Sequence, residues 1–454
     1  VIGDAIDPAR LAAALGLVAA YALWAGGVAR RVRRGRAAVA NRHDALLVVH
    51  ASQTGTAESV AQATAAQLQA AGHEIRLIGL GDVHAADLTA HRWALFVAST
   101  CREGDAPDDA QRFQRAVMEA ASPPALDGLR IGVLGLGDRR FAHYCGFARQ
   151  LDDWLQVRGA EPLFERVEVD ALASHDLQRW QDALGPLLAG AAPAPLAIEL
   201  PAAPATPWTL LERRELNPGS VGEPVFHLEW VPADGGALPA WEAGDLVRLT
   251  IPGDAAPRDY SIASVPADGR LHLVVRRSRR ADGSIGAASG WLARMPPGTP
   301  VAMQLVAHRS FRLGANAERP LILIGNGTGI AGLRAHLRAR AGRPRLRHWL
   351  LFGERQRAID FHFRAELEAW QAAGMIERAD FAFSRDGAER IYVQDLLAAQ
   401  PGPLRAWVAD GAAIYVCGSL VGMGEGVDAA LRAVLGDGVT EDLQREGRYR
   451  RDVY

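Results

Sequence analysis

At 454 residues, 49% hydrophobic and 22% charged, the chain has a globular composition and room for about three domains of ~150 residues. A formal net charge of −2 excludes a protein that binds nucleic acid through bulk positive charge, and all 50 basic residues are Arg. Cys101, Cys145 and Cys417 are too few and too scattered for a disulfide framework or a zinc site, so a reducing compartment and no metal are expected.

In chain order the first feature is apolar. Leu11 to Ala29 carries no charge, and as a helix it would be about 28 Å long, close to the ~30 Å hydrocarbon core of a bilayer. Arg30, Arg31, Arg33, Arg34 and Arg36 follow at once, which by the positive-inside rule leaves the bulk of the chain in the cytoplasm. A cleavable signal peptide carries its positive charge before the apolar run, not after it. Residues 1–43 are therefore expected to form one transmembrane helix with a basic flank, in a bacterial inner membrane. The chain begins with Val rather than Met, as a fragment with further membrane helices upstream would.

Residues 44–190 read as an α/β domain. Leu46-Leu47-Val48-Val49 is a buried-strand signal running into Ser52-Gln53-Thr54-Gly55-Thr56-Ala57, after which Glu58 to Ala71 has helical period. Hydroxyls and backbone N–H groups at a helix N-terminus trap an anion, and the absence of Lys favours a monophosphate over a nucleotide triphosphate. Trp93 to Ala98 and Ile131 to Leu136 are further buried strands, ending in Ser99-Thr100-Cys101-Arg102-Glu103-Gly104-Asp105 and Gly137-Asp138-Arg139-Arg140-Phe141. Helices between these strands predict a doubly wound parallel sheet, whose ligand sits beyond the carboxyl ends of the strands.

The three loops, in this order and spacing, resemble the FMN-binding flavodoxin domain of the diflavin reductase family. The resemblance implies that Ser52, Gln53, Thr54, Gly55, Thr56 and Ala57 form the FMN phosphate loop, and that Thr100 and Gly104 shape the second loop. It also implies that Phe141 stacks on the isoalloxazine and that Asp170 is a late acidic residue of the site. Cys101 and Arg102 stand where the family has Tyr-Gly, so a second ring cover is expected to be missing. This segment carries a net charge of −8, either a solvated face or a surface that steers it to a basic redox partner.

Residues 191–207 are Ala/Pro-rich and read as a semi-stiff tether. Over 208–315, Trp208 to Asn217, Val225 to Val231, Leu246 to Ile251, Asp259 to Ala263 and Leu271 to Arg276 alternate as short strands between Gly/Pro turns, the pattern of a small antiparallel β-barrel. Arg258-x-Tyr260-Ser261 lies in the fourth strand, and Gly286-x-x-Ser289 opens a short helix. Together they resemble the FAD site of the ferredoxin-NADP reductase family. That implies Arg258 and Ser289 on the FAD pyrophosphate, with Gly286 allowing its close approach. It places Tyr260 against the isoalloxazine and Ser261 near flavin N5. Asp245 and Arg258 are separated by a short loop, with no room for the helical insertion that related reductases carry there.

Over 316–454, Leu321-Ile322-Leu323-Ile324 is a buried strand leading to Gly325-Asn326-Gly327-Thr328-Gly329, a loop that lets a dinucleotide pyrophosphate approach the backbone. Ser384-Arg385 and Arg390-x-Tyr392-x-Gln394 gather two guanidiniums, a hydroxyl and a ring, which favours the 2′-phosphate of NADPH over NADH. The resemblance continues through Phe352-Gly353-x-Arg355 and Cys417 to Asp452-Val453-Tyr454. It implies Cys417 beside the nicotinamide, Ser261, Cys417 and Asp452 around the hydride path, and Tyr454 as an aromatic lid on FAD. Ser419 and Gly332 replace a common Asp and Pro.

The expected function is an NADPH-dependent diflavin reductase, passing electrons from NADPH through FAD and FMN to a haem or ferric acceptor. A sulfite reductase flavoprotein subunit, a ferric-siderophore reductase module of a larger membrane protein, and a flavin carrier without NADPH oxidation are the alternatives.

Overall fold

The computed structural model describes residues 45–52, 55–100, 106–107, 110–139, 143–188, 205–251, 257–280, 282–343 and 346–454. The chain divides into two compact units, the first built on one parallel sheet and the second on an antiparallel sheet followed by another parallel one.

The first sheet contains β1 (Leu46–Ala51), β2 (Ile75–Gly79), β3 (Trp93–Ser99), β4 (Arg130–Gly137), the two-residue β5 (Glu161–Pro162) and β6 (Val167–Asp170). Its order is β2-β1-β3-β4-β5, with β6 also on β4, and every pairing is parallel. Helices cover both faces, which is why the central strands β1, β3 and β4 are largely apolar. Leu47, Val49, Phe96 and Val133 pack with Phe113, Phe147 and Leu151, while Leu46, Val48, Leu95 and Leu134 pack with Val60, Leu68 and Trp180. The winding reverses between β1 and β3, so the loops after them part and leave a crevice at the carboxyl edge.

In the second unit β7 (Thr206–Glu215), β8 (Val225–Pro232), β9 (Leu246–Leu249), β10 (Arg258–Ser261), β11 (Leu271–Arg276) and β12 (Pro300–Val306) take the order β10-β9-β12-β7-β8-β11. A bridge between Ile262 and Leu273 joins the two ends and closes the barrel around Trp208, Leu228, Trp230, Val247 and Leu273. Strand β12 is missing from the five expected strands. It begins at a proline, just after Pro296-Pro297-Gly298, and such residues read as a turn. Strands β9 and β10 pair directly, Leu246 with Ser261 and Leu249 with Arg258, so the connection between them is a hairpin.

The last sheet holds β13 (Leu321–Asn326), β14 (His348–Glu354), β15 (Arg378–Phe383), β16 (Ala413–Gly418) and β17 (Tyr449–Val453), all parallel, in the order β15-β14-β13-β16-β17. Here the winding reverses between β13 and β16, which sets a second crevice beside the glycine-rich loop.

The expected inner-membrane location is not upheld. Among the described residues no helix is long and apolar enough to cross a membrane, and Leu11 to Ala29 lies outside them. Length and flanking arginines carried that expectation, yet more than half of the run is Ala or Gly, residues that add little to the transfer of a helix into hydrocarbon.

Candidate functional site

The register of the last sheet places Cys417 directly opposite Asp452 on adjacent strands, so their side chains leave the same face. Ser261, the final residue of β10, meets them there. Its Oγ donates to Asp452 Oδ2 at 2.6 Å, and Cys417 Sγ lies 3.6 Å from the same oxygen. All three are buried. Burial, and then the Asp452 charge, push the Cys417 thiol well above its usual range, so it stands as a protonated weak donor rather than a thiolate. Burial likewise raises the Tyr260 phenol to about 12, keeping it neutral.

Tyr454 is fixed by its backbone and by its hydroxyl. Its N–H donates to Gly418 O at 2.8 Å, its carbonyl accepts from Leu420 at 3.0 Å, and its hydroxyl lies 3.0 Å from Thr328 Oγ1. The residue is 47% exposed.

The glycine-rich loop follows β13. A Cβ on Gly329 would lie 2.0 Å from Cys417 O and one on Gly325 would lie 2.5 Å from it, so only glycines let the loop close on β16. Gly327 has φ +56°, a left-handed conformation natural to glycine. A pyrophosphate fits this cradle, with its backbone N–H groups at the start of the helix Ile330–Ala339. Asn326, absent from the sequence-derived set, accepts from Ser419 N–H at 2.9 Å and holds the loop after β16 against it.

The residues read as 2′-phosphate contacts lie at the carboxyl ends of β14 and β15. Ser384 N–H donates to Glu354 O at 2.9 Å and Arg385 N–H to Arg355 O at 2.8 Å. Arg385, Arg390 and Tyr392 are exposed, while Ser384 is buried. Gln394 Nε2 reaches Gly422 O at 3.4 Å, and its Oε1 is buried with no hydrogen-bond partner among the described residues. Arg355 turns elsewhere: a Cβ on Gly222 would sit 1.5 Å from its Nη1.

On the barrel, Arg258 is half-buried and its Nη1 donates to Pro257 O at 3.1 Å. A Cβ on Gly286 would lie 2.1 Å from Ser278 Oγ, so this turn packs directly against the Ser278 hydroxyl. Ser289 Oγ accepts from Ser278 N–H at 3.0 Å and lies 2.8 Å from Ser278 Oγ. Ser278 therefore belongs with the Gly286 and Ser289 pair, though nothing in its spacing singled it out.

In the first unit Ser52 Oγ accepts from Ala57 N–H at 3.2 Å, Gly55 turns the loop at φ +88° and Thr56 opens the helix Thr56–Ala70. Thr100 Oγ1, at the end of β3, is buried without a hydrogen-bond partner among the described residues, as a ligand-facing hydroxyl would be. Asp170 accepts from Arg139 N–H at 2.9 Å, and so ties the end of β6 to the third loop. These groups suit a phosphate and a polar ring edge. Gln53, Thr54, Cys101, Arg102, Gly104 and Phe141 lie outside the described residues.

Away from these loops, His227, Glu229 and His272 bring donor atoms within 4.8 Å of one another. Guanidiniums already engage two of them: Arg270 pairs with Glu229 at 2.5 Å, and Arg334 Nη1 lies 3.3 Å from His272 Nδ1.

A doubly wound sheet with an anion loop, joined in one chain to a barrel and a nucleotide sheet that share a buried Ser-Cys-Asp cluster, defines a flavin- and nicotinamide-dependent oxidoreductase. Residues 48–180 match the Flavodoxin family and residues 323–429 the Oxidoreductase NAD-binding domain. The chain is similar to the NADPH sulfite reductase flavoprotein alpha-component of Thiocapsa roseopersicina, 31% identical over 438 residues that cover 85% of this chain and 83% of that protein. It is similar also to that of Neisseria meningitidis serogroup B, 29% identical over 541 residues covering 90% and 89%, and to that of Vibrio cholerae, 28% over 537 residues covering 90% and 87%. The chain belongs to the diflavin reductase family. It is an NADPH-dependent oxidoreductase whose cofactors are FMN, FAD and NADPH. An alignment of 541 positions against 454 residues means that the Neisseria protein carries segments missing here.

Proposed function

We propose that this chain takes electrons from NADPH and delivers them singly to an iron-containing acceptor, a haem protein or a ferric complex. The observation that carries the NADPH end is the convergence of Ser261 and Cys417 on one carboxylate oxygen of Asp452, at the carboxyl edge where the last sheet reverses. When bound, the flavins supply the chemistry that accepts two electrons as a hydride and releases them one at a time.

The protein's part is orientation and charge. Asp452 holds the Ser261 hydroxyl and the Cys417 thiol as donors around the hydride path. The thiol, kept protonated by burial and by Asp452, offers a soft neutral wall to the nicotinamide. Tyr454 would lie against a bound flavin, its ring the aromatic surface that has to move for a nicotinamide to be admitted. Arg385, Arg390 and Tyr392, exposed beyond β15, receive the 2′-phosphate. Ser52, Gln53, Thr54, Gly55, Thr56 and Ala57 form the FMN phosphate loop, Thr100 and Gly104 line the second loop, Phe141 covers the ring, and Asp170 fixes the third loop. Arg258, Tyr260, Gly286 and Ser289 hold FAD. The domains run 44–190 for FMN, 208–315 for FAD and 316–454 for NADP, with 191–207 as tether.

A sulfite reductase flavoprotein role is the second reading, favoured by the coverage of the Thiocapsa and Neisseria proteins. Anaerobic stopped-flow mixing of the flavin-loaded protein with NADPH, followed by addition of a ferric cytochrome, tests the proposal. Loss of the oxidised flavin absorbance and then one haem reduced per electron are expected. Flavin that bleaches while neither the cytochrome nor a ferric chelate is reduced would refute the acceptor class.

A further inference from the structure

Strands β8 and β11 run antiparallel, with His272 directly opposite Glu229 and His227 two residues before Glu229 on the same strand. Alternation along a strand and pairing across the ribbon put all three side chains on one face. Their donor atoms lie within 4.8 Å of one another, in a cleft of about 430 Å3 that Phe363 and Glu366 of the nucleotide domain also line. His227 and His272 are buried, and burial lowers both imidazoles below their usual range, so each is neutral at neutral pH with a lone pair to give. Neither nitrogen of His227 is engaged: Nε2 is buried with no hydrogen-bond partner among the described residues, and Nδ1 stands 3.7 Å from Glu229 Oε1, beyond hydrogen-bond reach.

The two guanidiniums that touch the cluster do not close it. Arg270 bonds Glu229 through Oε2, which leaves Oε1 facing His227. Arg334 Nη1 has its shorter bond, 2.6 Å, to the Ala263 carbonyl and stands 3.3 Å from His272 Nδ1, while its Nε and Nη2 hold Glu366. With the contact to His272 given up, Arg334 keeps those three bonds and its charge stays paired. Arg270, on the far carboxylate oxygen, orients Glu229 in the way that a hydrogen bond to a ligating carboxylate does.

We propose that His227, Glu229 and His272 bind a divalent transition-metal ion of the Zn2+ type. Two imidazoles and one carboxylate, with water at a fourth position, are a donor set that Zn2+ takes, whereas Mg2+ and Ca2+ take oxygen ligands. Donors about 2.0–2.1 Å from a tetrahedral zinc stand about 3.3 Å apart, so His227 and Glu229, at 3.7 Å, need close by only a few tenths of an ångström. Side-chain torsions bring in the third. The ion ties β8 to β11 on the side of the barrel where Arg334 of the nucleotide domain lies. No cysteine takes part, and the expectation of no metal rested on the cysteines.

Isothermal titration of the tag-free, flavin-loaded protein with Zn2+ in excess Mg2+, and the zinc X-ray absorption spectrum of the complex, test the proposal. One Zn2+ per chain is expected, with a first shell of nitrogen and oxygen at about 2.0–2.1 Å that includes imidazole. His227→Gln and Glu229→Gln, each checked for wild-type flavin content, are expected to weaken binding more than about tenfold. A shell without imidazole, or one containing sulfur at about 2.3 Å, places the ion elsewhere and overturns the proposal. So does the lack of saturable binding by the wild type, or an affinity unchanged in either variant. Should His227→Gln lose flavin, Glu229→Gln and the wild-type spectrum decide alone.

Discussion

Asp452→Asn changes one charge and almost no volume at the point where three chain segments meet. In the wild type one carboxylate oxygen accepts a 2.6 Å bond from Ser261 and faces the Cys417 sulfur at 3.6 Å. The amide can still accept through its oxygen, so the Ser261 bond survives as a neutral one. A hydrogen bond to an ionised group exceeds a neutral one by about 1 to 1.5 kcal/mol, which is close to tenfold in rate if the difference is felt in the transition state. The Cys417 thiol loses the second of the causes that raise it and keeps the first, burial, so it stays protonated at neutral pH and no new inflection enters the pH–rate profile. The assay is single-turnover bleaching of FAD by NADPH, with FAD content and NADP+ affinity measured beside it. A rate within twofold of wild type at full FAD occupancy would refute the electrostatic role of Asp452. A fall in rate that merely tracks lost FAD would assign the residue to packing.

Cys417→Ala is expected to slow the same step by about tenfold with FAD content unchanged, since a weak donor and a contact surface are lost; an unchanged rate counts against a place beside the nicotinamide. Arg385→Ala with Arg390→Ala should raise the KM for NADPH about a hundredfold and leave that for NADH alone, and equal weakening towards both would remove the 2′-phosphate from these residues. His336 is buried against Phe311 and Tyr415, and burial lowers its pKa from the usual 6.5 to about 3. The unfolded chain takes up this proton near pH 6.5 while the folded one does not. Its contribution to stability is therefore complete above pH 6.5 and falls by about 1.4 kcal/mol per pH unit below it, until about pH 3. The thermal midpoint of His336→Phe should drop less than that of the wild type between pH 7 and 5, and parallel drops would exclude His336 as a source of acid lability.

Much of the fold was legible because parallel strands covered on both faces must be largely apolar, and β1, β3, β4, β13 and β16 are. Their polar or glycine-rich ends marked the loops of the candidate sites. Strand β12 escaped because proline begins it and a Pro-Pro-Gly turn precedes it. The membrane anchor rested on length and flanking charge alone, and Leu11 to Ala29 lies outside the described residues. Ser261, Cys417 and Asp452 could be named only through resemblance: 191 residues separate Ser261 from Asp452, and no local pattern records the strand register that brings them together.

The position of Ser261 does not depend on Asp452 alone, which makes the Asp452→Asn experiment informative. Two residues further on, the Ala263 carbonyl accepts from Arg334 Nη1 at 2.6 Å, and the Ala263 N–H donates to His272 O at 2.8 Å. Arg334 is itself buried and held by Glu366 through both Nε and Nη2. At the residue between Ser261 and Ala263, Asp245 O accepts the Ile262 N–H at 3.0 Å, and the Asp245 carboxylate is bound by both Nε and Nη2 of Arg312. Two guanidinium–carboxylate pairs thus hold the backbone at the two residues that follow Ser261. With that backbone fixed, the hydroxyl cannot drift far when the carboxylate becomes an amide. A slower NADPH reaction in the variant would then measure the charge that Asp452 directs at its neighbours, not a displaced strand.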